Sequence, residues 1–429
     1  MDFFTKHIII PFWKTRFGQI LHQLIDWCKI TYYIYFLKPK IEKRIAKQDK
    51  LSIVFFVINI SMWKADSIVK ELLSNPHYDI HIVSFLYPQF TIERRKEMQK
   101  QMEEFFTKKN YPYINSYDFS TNTYFDIRTL HPDIIFYNQP YNLGYSGYQL
   151  QHFWKTSLFA YIPYCLNIEN NDVFYDTLYI NVCKYVFLPT QLDLSLVQSK
   201  TKTKAYNCKV VGNLFYDELK EAQHSDHNVW KDNTRKHIIW APHHSILPND
   251  ELQYSTFLRY ANYMLYLADK YKDIVEFAFK PHPALKDKLY QSPDWGYERT
   301  NQYYTKWANM SNTFIADGSY VNLFVQSDAM IHDCSTFSCE YLYTNKPVLF
   351  LLKETNNTPL TELGASCLNM HYHAYQENEI EEFINNVISG IDVLKKQRHY
   401  FVEHNLTKFD DTSTTSNIIQ ELNNLFISQ

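Results

Sequence analysis

The sequence predicts an α/β protein made of two parallel-sheet halves, and three observations carry that expectation. Short apolar runs of strand length alternate with longer stretches of helical periodicity along most of the chain. The short runs are nearly continuous in Val, Ile, Phe and Tyr, as strands buried on both faces are, rather than alternating apolar with polar. The rhythm breaks at a polar stretch near residue 225 and then restarts. A length of 429 residues leaves room for two or three domains.

The elements follow in order. Residues 52–58 form a buried strand, 64–73 a helix, 79–85 a second strand and 92–109 a charged, exposed helix. Residues 133–137 form a further buried strand, closed by Asn138, Gln139 and Pro140, and 185–188 and 209–211 are short strands. Residues 218–236 are polar and form the linker. In the second half, 237–240 is a strand, and 252–270 is a helix with Phe257, Ala261, Met264, Leu265 and Ala268 on one face. Then come a strand at 274–279, a short helix at 319–326, a strand at 329–332, a helix at 335–343 and a strand at 348–352. Residues 378–398 are helical, with Ile380, Phe383, Ile384, Val387 and Ile388 on one face, and are expected to pack near the junction of the halves. The segments are thus 1–48, 49–222, 223–390 and a helical tail, 391–429. Ligands of open parallel sheets sit at the carboxyl ends of the strands, here in a cleft between the halves.

Composition narrows the function. A formal charge of -3 argues against a general nucleic-acid binder. Eight glycines stand where about 7% usage would give roughly thirty. Neither GxGxxG nor GxxxxGK[ST] occurs, which disfavours a nicotinamide fold or a Walker ATPase. Seven scattered cysteines without CxxC argue against zinc ribbons and disulfide frameworks and favour a reducing compartment. HExxH and Asp-x-Asp are absent, and no secretory signal is visible.

Three polar clusters directly follow second-half strands, and in a parallel sheet all three would meet on one rim. Trp240 leads into Ala241-Pro242-His243-His244-Ser245, Phe279 into Lys280-Pro281-His282-Pro283, and His332 into Asp333-Cys334-Ser335-Thr336. Ser335 and Thr336 open a helix, whose free N–H groups can hold a diphosphate; the same residues also serve as ordinary caps. Two prolines fix the direction of His282, whose protonated imidazole, with Lys280, could stabilise charge on a phosphate leaving group, or it could be a histidine in a proline turn. His243 and His244 could bind phosphate or act as a base. A zinc pair is disfavoured, because adjacent side chains diverge and no third ligand lies nearby.

The stretches VVGNLFYDEL, IIWAPHHSI, FAFKPHPALK and SDAMIHDCSTFSCEYLYTNKPVLFL together resemble the CDP-glycerol glycerophosphotransferase family of teichoic-acid and capsule synthesis. The resemblance spans about residues 180 to 355, with weaker matches at SMWKADS and PDIIFYNQPY. It implies a GT-B fold, with two Rossmann-like domains facing across a cleft, a nucleotide donor on the second domain and no essential metal or other cofactor. By motif, His282 and His244 would be catalytic, and His243, Ser245, Lys280, Asp333, Ser335 and Thr336 would bind the donor. Asp333 would hold the loop or a donor hydroxyl. One departure stands out: the family's His-Gly in the first domain is replaced by Tyr137-Asn138-Gln139-Pro140-Tyr141, so the base is a different residue or the acceptor chemistry differs. The reading is a transferase moving a polyol phosphate from a CDP-activated donor to a polysaccharide or lipid-linked acceptor. A glycosyltransferase using a CMP-sialate, UDP-sugar or GDP-sugar is the alternative, and a non-catalytic scaffold the third.

The first fifty residues carry ten Lys and Arg against four Asp and Glu, while the rest carries 33 against 42. Trp13, Phe17, Ile20, Leu21 and Leu24 follow helical spacing. No apolar run reaches the roughly 20 residues needed to span a bilayer. Two readings stand: an amphipathic helix lying on an anionic membrane, or one packed on the protein body. The first places the protein in the cytoplasm, peripheral on the inner membrane face.

Overall fold

The computed structural model describes residues 15–427 apart from 141–143, 172–173, 226, 251, 355, 357 and 408–411. The first sheet is built from β1 (Leu51–Val57), β2 (Tyr78–Ser84), β3 (Tyr113–Ile114), β6 (Ile134–Tyr137), β7 (Leu158–Tyr161), β8 (Tyr185–Leu188) and β9 (Cys208–Val210), with a small hairpin of β4 (Tyr117–Asp118) and β5 (Thr123–Tyr124) beside it. Its order is β3-β2-β1-β6-β7-β8-β9, and every pair in it is parallel. The second sheet contains β10 (Lys236–Ala241), β11 (Val275–Phe279), β12 (Thr313–Ile315), β13 (Ala329–His332), β14 (Val348–Leu351) and β15 (Tyr372–Ala374). Its order is β12-β11-β10-β13-β14-β15, again parallel throughout.

The central strands are buried end to end, which is why their sequences are continuous apolar runs. Aromatic residues fill both cores. Phe55 stacks on Phe136 at 4.4 Å in the first half, and Trp240 packs against Phe279 and Trp307 at 5.0 and 5.4 Å in the second. A third cluster joins the halves, with Leu166, Phe215 and Leu219 meeting Phe324, Tyr341 and Phe401.

Four sequence expectations shift. Part of the expected linker is helix, Leu214–Ala222, and the polar stretch proper starts after it. The helix expected over 252–270 begins only at Phe257. Ile380, Phe383, Ile384 and Val387, on the helix Glu377–Ile388, lie in the core of the second half rather than at the junction. The return to the first half is made instead by Thr414–Ile427: Tyr78 Oη donates to Asn423 Oδ1 at 2.6 Å, and Tyr185 Oη to the Glu421 carbonyl at 2.8 Å. The helix expected over 335–343 is a four-residue α-helix, Phe337–Glu340, followed by the 3-10 turn Tyr341–Thr344.

The N-terminal helix Arg16–Tyr32 runs through a π-helical turn, Tyr33–Leu37, into Lys38–Ile45. Tyr33 anchors it, fully buried against Trp154 at 4.9 Å and donating to the Ser157 carbonyl. Phe12, Trp13 and Lys14 lie outside the described residues.

Candidate active site

Strands β11, β10 and β13 are adjacent and parallel, so the three loops that leave them emerge on one edge. Backbone bonds fasten the loops together. The His282 N–H donates to the Pro242 carbonyl at 3.0 Å. Asp333, fully buried, accepts from the His243 N–H at 2.5 Å on one oxygen, and from the Thr256 N–H and hydroxyl at 2.6 and 2.8 Å on the other. Asp333 thus ties the loop after β13 to the loop after β10. Three imidazoles come together as a result. The His243 and His244 rings lie 4.2 Å apart, His244 and His282 4.2 Å, and His243 and His282 5.4 Å.

Hydrogen bonding fixes the tautomers. The Ala284 N–H donates to His282 Nδ1 at 3.1 Å, so the proton of the neutral ring is on Nε2. The Ser245 hydroxyl accepts from the Tyr254 and Ser255 N–H groups at 3.1 Å each and gives its own proton to His243 Nδ1 at 2.8 Å. That leaves His243 with its proton on Nε2 as well. His244 Nδ1 is buried without a hydrogen-bond partner among the described residues. Burial, reinforced by the other histidines and by Lys288, pushes His243 down to about 2; burial, then His244, Lys280 and Lys288, pushes His282 to about 3; burial and Lys288 push His244 to about 4. This corrects the expectation of a protonated His282. His282 is a neutral ring presenting an Nε2–H, and a bound diphosphate would favour its charged form.

The remaining expected residues divide. Lys280 is buried and donates to the Gly318 carbonyl at 3.2 Å, and burial lowers its pKa. Ser245 is fully buried, and its hydroxyl orders the loop. Ser335 and Thr336 are half-buried, and their carbonyls accept from Ser338, Cys339 and Glu340 in the short helix. Four residues give little macrodipole, so an anion contact here falls to their hydroxyls. Among the described residues no group of three or more His, Cys, Asp or Glu is arranged to hold a metal ion.

Two cavities flank this rim. One, about 330 Å³, is lined by His282, Lys286, Tyr304 and Asp317 among others, and the buried Tyr304 hydroxyl has no hydrogen-bond partner among the described residues. The other, about 870 Å³, lies between the halves, walled by Asn59, Lys64 and Asp66 on one side and Pro283, Ser319 and Tyr320 on the other, with Glu218 also on its lining. Lys64 crosses this cleft. Its ammonium donates to Tyr320 Oη at 2.9 Å and pairs with the fully buried Glu340 at 3.7 Å, and Tyr320 Oη donates to Glu340 at 2.6 Å. The sequence did not single out Lys64, Tyr320, Glu340 or Glu218, although Lys64 stands in SMWKADS and Glu218 in VVGNLFYDEL, both within the family resemblance.

Neither a family model nor a curated protein sequence matches the chain. Solved structures do. The UDP-GlcNAc 2-epimerase of Neisseria meningitidis bound to UDP-GlcNAc is 15% identical, with a TM-score of 0.56 over 87% of this chain and 100% of that one. The UDP-GlcNAc 2-epimerase of Methanocaldococcus jannaschii is 15% identical, with a TM-score of 0.54 over 87% and 99%. The wall teichoic acid polymerase TagF, soaked with CDPG, is 10% identical, with a TM-score of 0.55 over 95% and 99%. Two parallel α/β sheets with a cleft between them, matched across nearly the whole chain, identify the architecture as the GT-B fold.

Proposed function

We propose that this protein is a transferase that moves a polyol-phosphate group, glycerophosphate-like, from a CDP-activated donor to a cell-surface polysaccharide or lipid-linked acceptor. The observation that carries the reading is the rim at β10, β11 and β13, where His243, His244, His282 and Lys280 converge beside the inter-half cleft. The Nε2–H groups of His243 and His282 are donors suited to a diphosphate. Ser335 and Thr336 add hydroxyls, and the buried Lys280 adds positive field in a site where charge is poorly screened. The nucleoside occupies the 330 Å³ cavity beside His282, where the Tyr304 hydroxyl awaits a partner. The acceptor enters through the 870 Å³ cleft. As the bond to the nucleotide phosphate breaks, His282 stabilises the charge on the leaving group. Sugar transfer from a UDP-sugar is the second reading, favoured by the fold shared with an enzyme bound to UDP-GlcNAc.

The N-terminal helix supports a membrane-borne acceptor. Phe17, Ile20, Leu24 and Trp27 are exposed along one face, Phe17 at 67%, and Tyr35 and Phe36 continue the patch. No helix among the described residues is long and apolar enough to cross a membrane. The exposed apolar face and the basic excess of the first fifty residues suit an anionic surface, the inner face of the cell membrane.

Thermal shifts with CDP, CMP, UDP and GDP test the donor, because a ligand that binds the fold raises its melting temperature. Stabilisation by CDP above the others is expected. Stabilisation by UDP alone moves the reading to sugar transfer, and none by any nucleotide removes it.

A further inference from the structure

The cleft has a leaving-group side but, as yet, no base. At the end of β6, where the resembling family has His-Gly, Tyr137 Oη donates to the Tyr148 carbonyl and Gln139 accepts from Tyr87 Oη. These groups hold the loop, and none is a base that works near neutral pH.

Six carboxylates stand on or beside the cleft: Glu71 and Glu221 are exposed to solvent, three others are engaged, and Glu218 is the sixth. Asp66 accepts from Lys109 at 2.8 Å and Trp63 Nε1 at 3.2 Å. Asp217 accepts from the Thr415 N–H at 3.1 Å and fastens the last helix. Glu340 is bound to Lys64 and Tyr320. Glu218, on the helix Leu214–Ala222, is half-buried, and no hydrogen bond or ion pair among the described residues holds its carboxylate. It lines the same cavity as Pro283, the residue after His282. A carboxylate without a partner on the wall of a large cleft keeps its lone pairs for what enters.

We propose that Glu218 is the general base that takes the proton from the acceptor hydroxyl, a role that rests on the transferase reading above. The acceptor O–H bond breaks and its proton passes to a Glu218 carboxylate oxygen. The acceptor oxygen then forms a bond to the donor's distal phosphorus. The bond from that phosphorus to the bridging oxygen breaks, and its electron pair leaves on CMP, beside His282. Glu218 afterwards returns its proton to water.

The electrostatics fit the role. Burial pushes the Glu218 carboxyl up to about 7; Lys64 and Lys109 pull it down, while Asp66 and Glu340 push it up. Tyr320, Asp217 and, one turn along its own helix, Glu221 line the same cavity, as do Lys70, Glu71 and Arg94. A base titrating near working pH is near its optimum.

The test measures nucleotide release from CDP-glycerol, UDP-GlcNAc and CMP-sialate, with bacterial membranes as acceptor, for wild type, Glu218→Gln and Glu218→Asp. Expected is a loss of about 10²–10⁴ in kcat for Glu218→Gln with little change in donor KM, partial recovery in Glu218→Asp, and loss of the acid limb near pH 7 in the kcat/KM profile. CDP thermal shifts equal to wild type show that the variant is folded. Wild-type turnover that Glu218→Gln leaves unchanged, or a loss with the acid limb retained, overturns this role alone. No wild-type turnover with any donor overturns the transferase reading and this role with it.

Discussion

At the carboxyl ends of β6 and β7 the chain continues into Tyr137-Asn138-Gln139-Pro140 and Tyr161-Ile162-Pro163; at the ends of β10, β11 and β13 it continues into Pro242-His243-His244, Lys280-Pro281-His282 and Asp333-Cys334-Ser335. Both halves are parallel sheets with aromatic cores, so the contrast is not one of fold. In the first half, Tyr137 and Gln139 direct their hydrogen bonds inward, to the Tyr148 carbonyl and Tyr87. In the second, Asp333 and Ser245 take the structural load, which leaves the Nε2–H groups of His243 and His282 at the rim. The two halves use their polar side chains differently: the first holds its own loops with them, while the second leaves two N–H donors, which the proposed function assigns to the donor's diphosphate. Every histidine that is buried among the described residues, His237, His243, His332 and His371, belongs to the second half.

Removing the anion-facing donor breaks this contrast most sharply. His282→Ala is expected to lower kcat by about 10²–10³, or roughly 3–4 kcal/mol of transition-state stabilisation. Its melting temperature should change little, because the imidazole makes one bond to the protein, from the Ala284 N–H. Steady-state kinetics with the donor identified by thermal shift checks it; near-normal turnover removes the leaving-group role.

Acid should separate the halves next. Burial holds His243 at about 2, His282 and His332 at about 3 and His244 at about 4. The unfolded chain, with its histidines near 6.5, therefore binds these protons first. The stability tied to neutral histidines is present in full above pH 6.5 and is lost as pH falls through 6.5 toward 4. Asp333, pushed up to about 6 by burial, acts in the opposite direction, since the fold takes up its proton before the unfolded chain does. Glu218, at about 7, and Asp193, at about 6, oppose the histidines in the same way as Asp333, and the histidines leave a net loss of stability between pH 6.5 and 5.5. Hydrogen exchange at pH 5.5 should show amides of β10–β15 losing protection ahead of those of β1–β9. Equal loss in both sheets contradicts the assignment.

How far the sequence could reach follows from where each feature is decided. Strand β13 and the loops after β10 and β11 were legible because local patterning sets them: a continuous apolar run, then prolines and polar residues. The strand Leu158–Tyr161 and the three-residue edge strands β12 and β15 were not, since such short runs become strands only through pairing with distant neighbours. Helix Gly296–Asn309 was hidden because it opens on glycine and buries mainly aromatics, Tyr303, Tyr304 and Trp307. Glu218 fell inside an expected linker. Its helix packs against Thr414–Ile427, about two hundred residues later, and no local pattern reports that contact. The neutral state of His282 is not legible locally for the same reason: the burial that neutralises it comes from loops remote in sequence.

The smallest expected effect concerns the first half's own distinguishing surface. Phe17→Ser with Leu24→Ser should weaken binding to anionic vesicles by about tenfold, since side chains sunk only partly at the interface contribute a fraction of the about 1.5–3 kcal/mol of full burial. Vesicle flotation is the measurement, and CDP thermal shifts should stay at the wild-type value. Wild-type protein that ignores anionic vesicles at low salt returns the helix to a purely structural role.

The central claim, that the histidine rim of the second half receives the diphosphate of a nucleotide donor, is tested most directly by calorimetric titration of CDP into wild type and His282→Ala at pH 7. The account predicts one site per chain, weakened tenfold or more in the variant, with protons taken up on binding as the anion raises the depressed histidines. Absence of CDP binding, or binding of equal strength in both proteins, would contradict it.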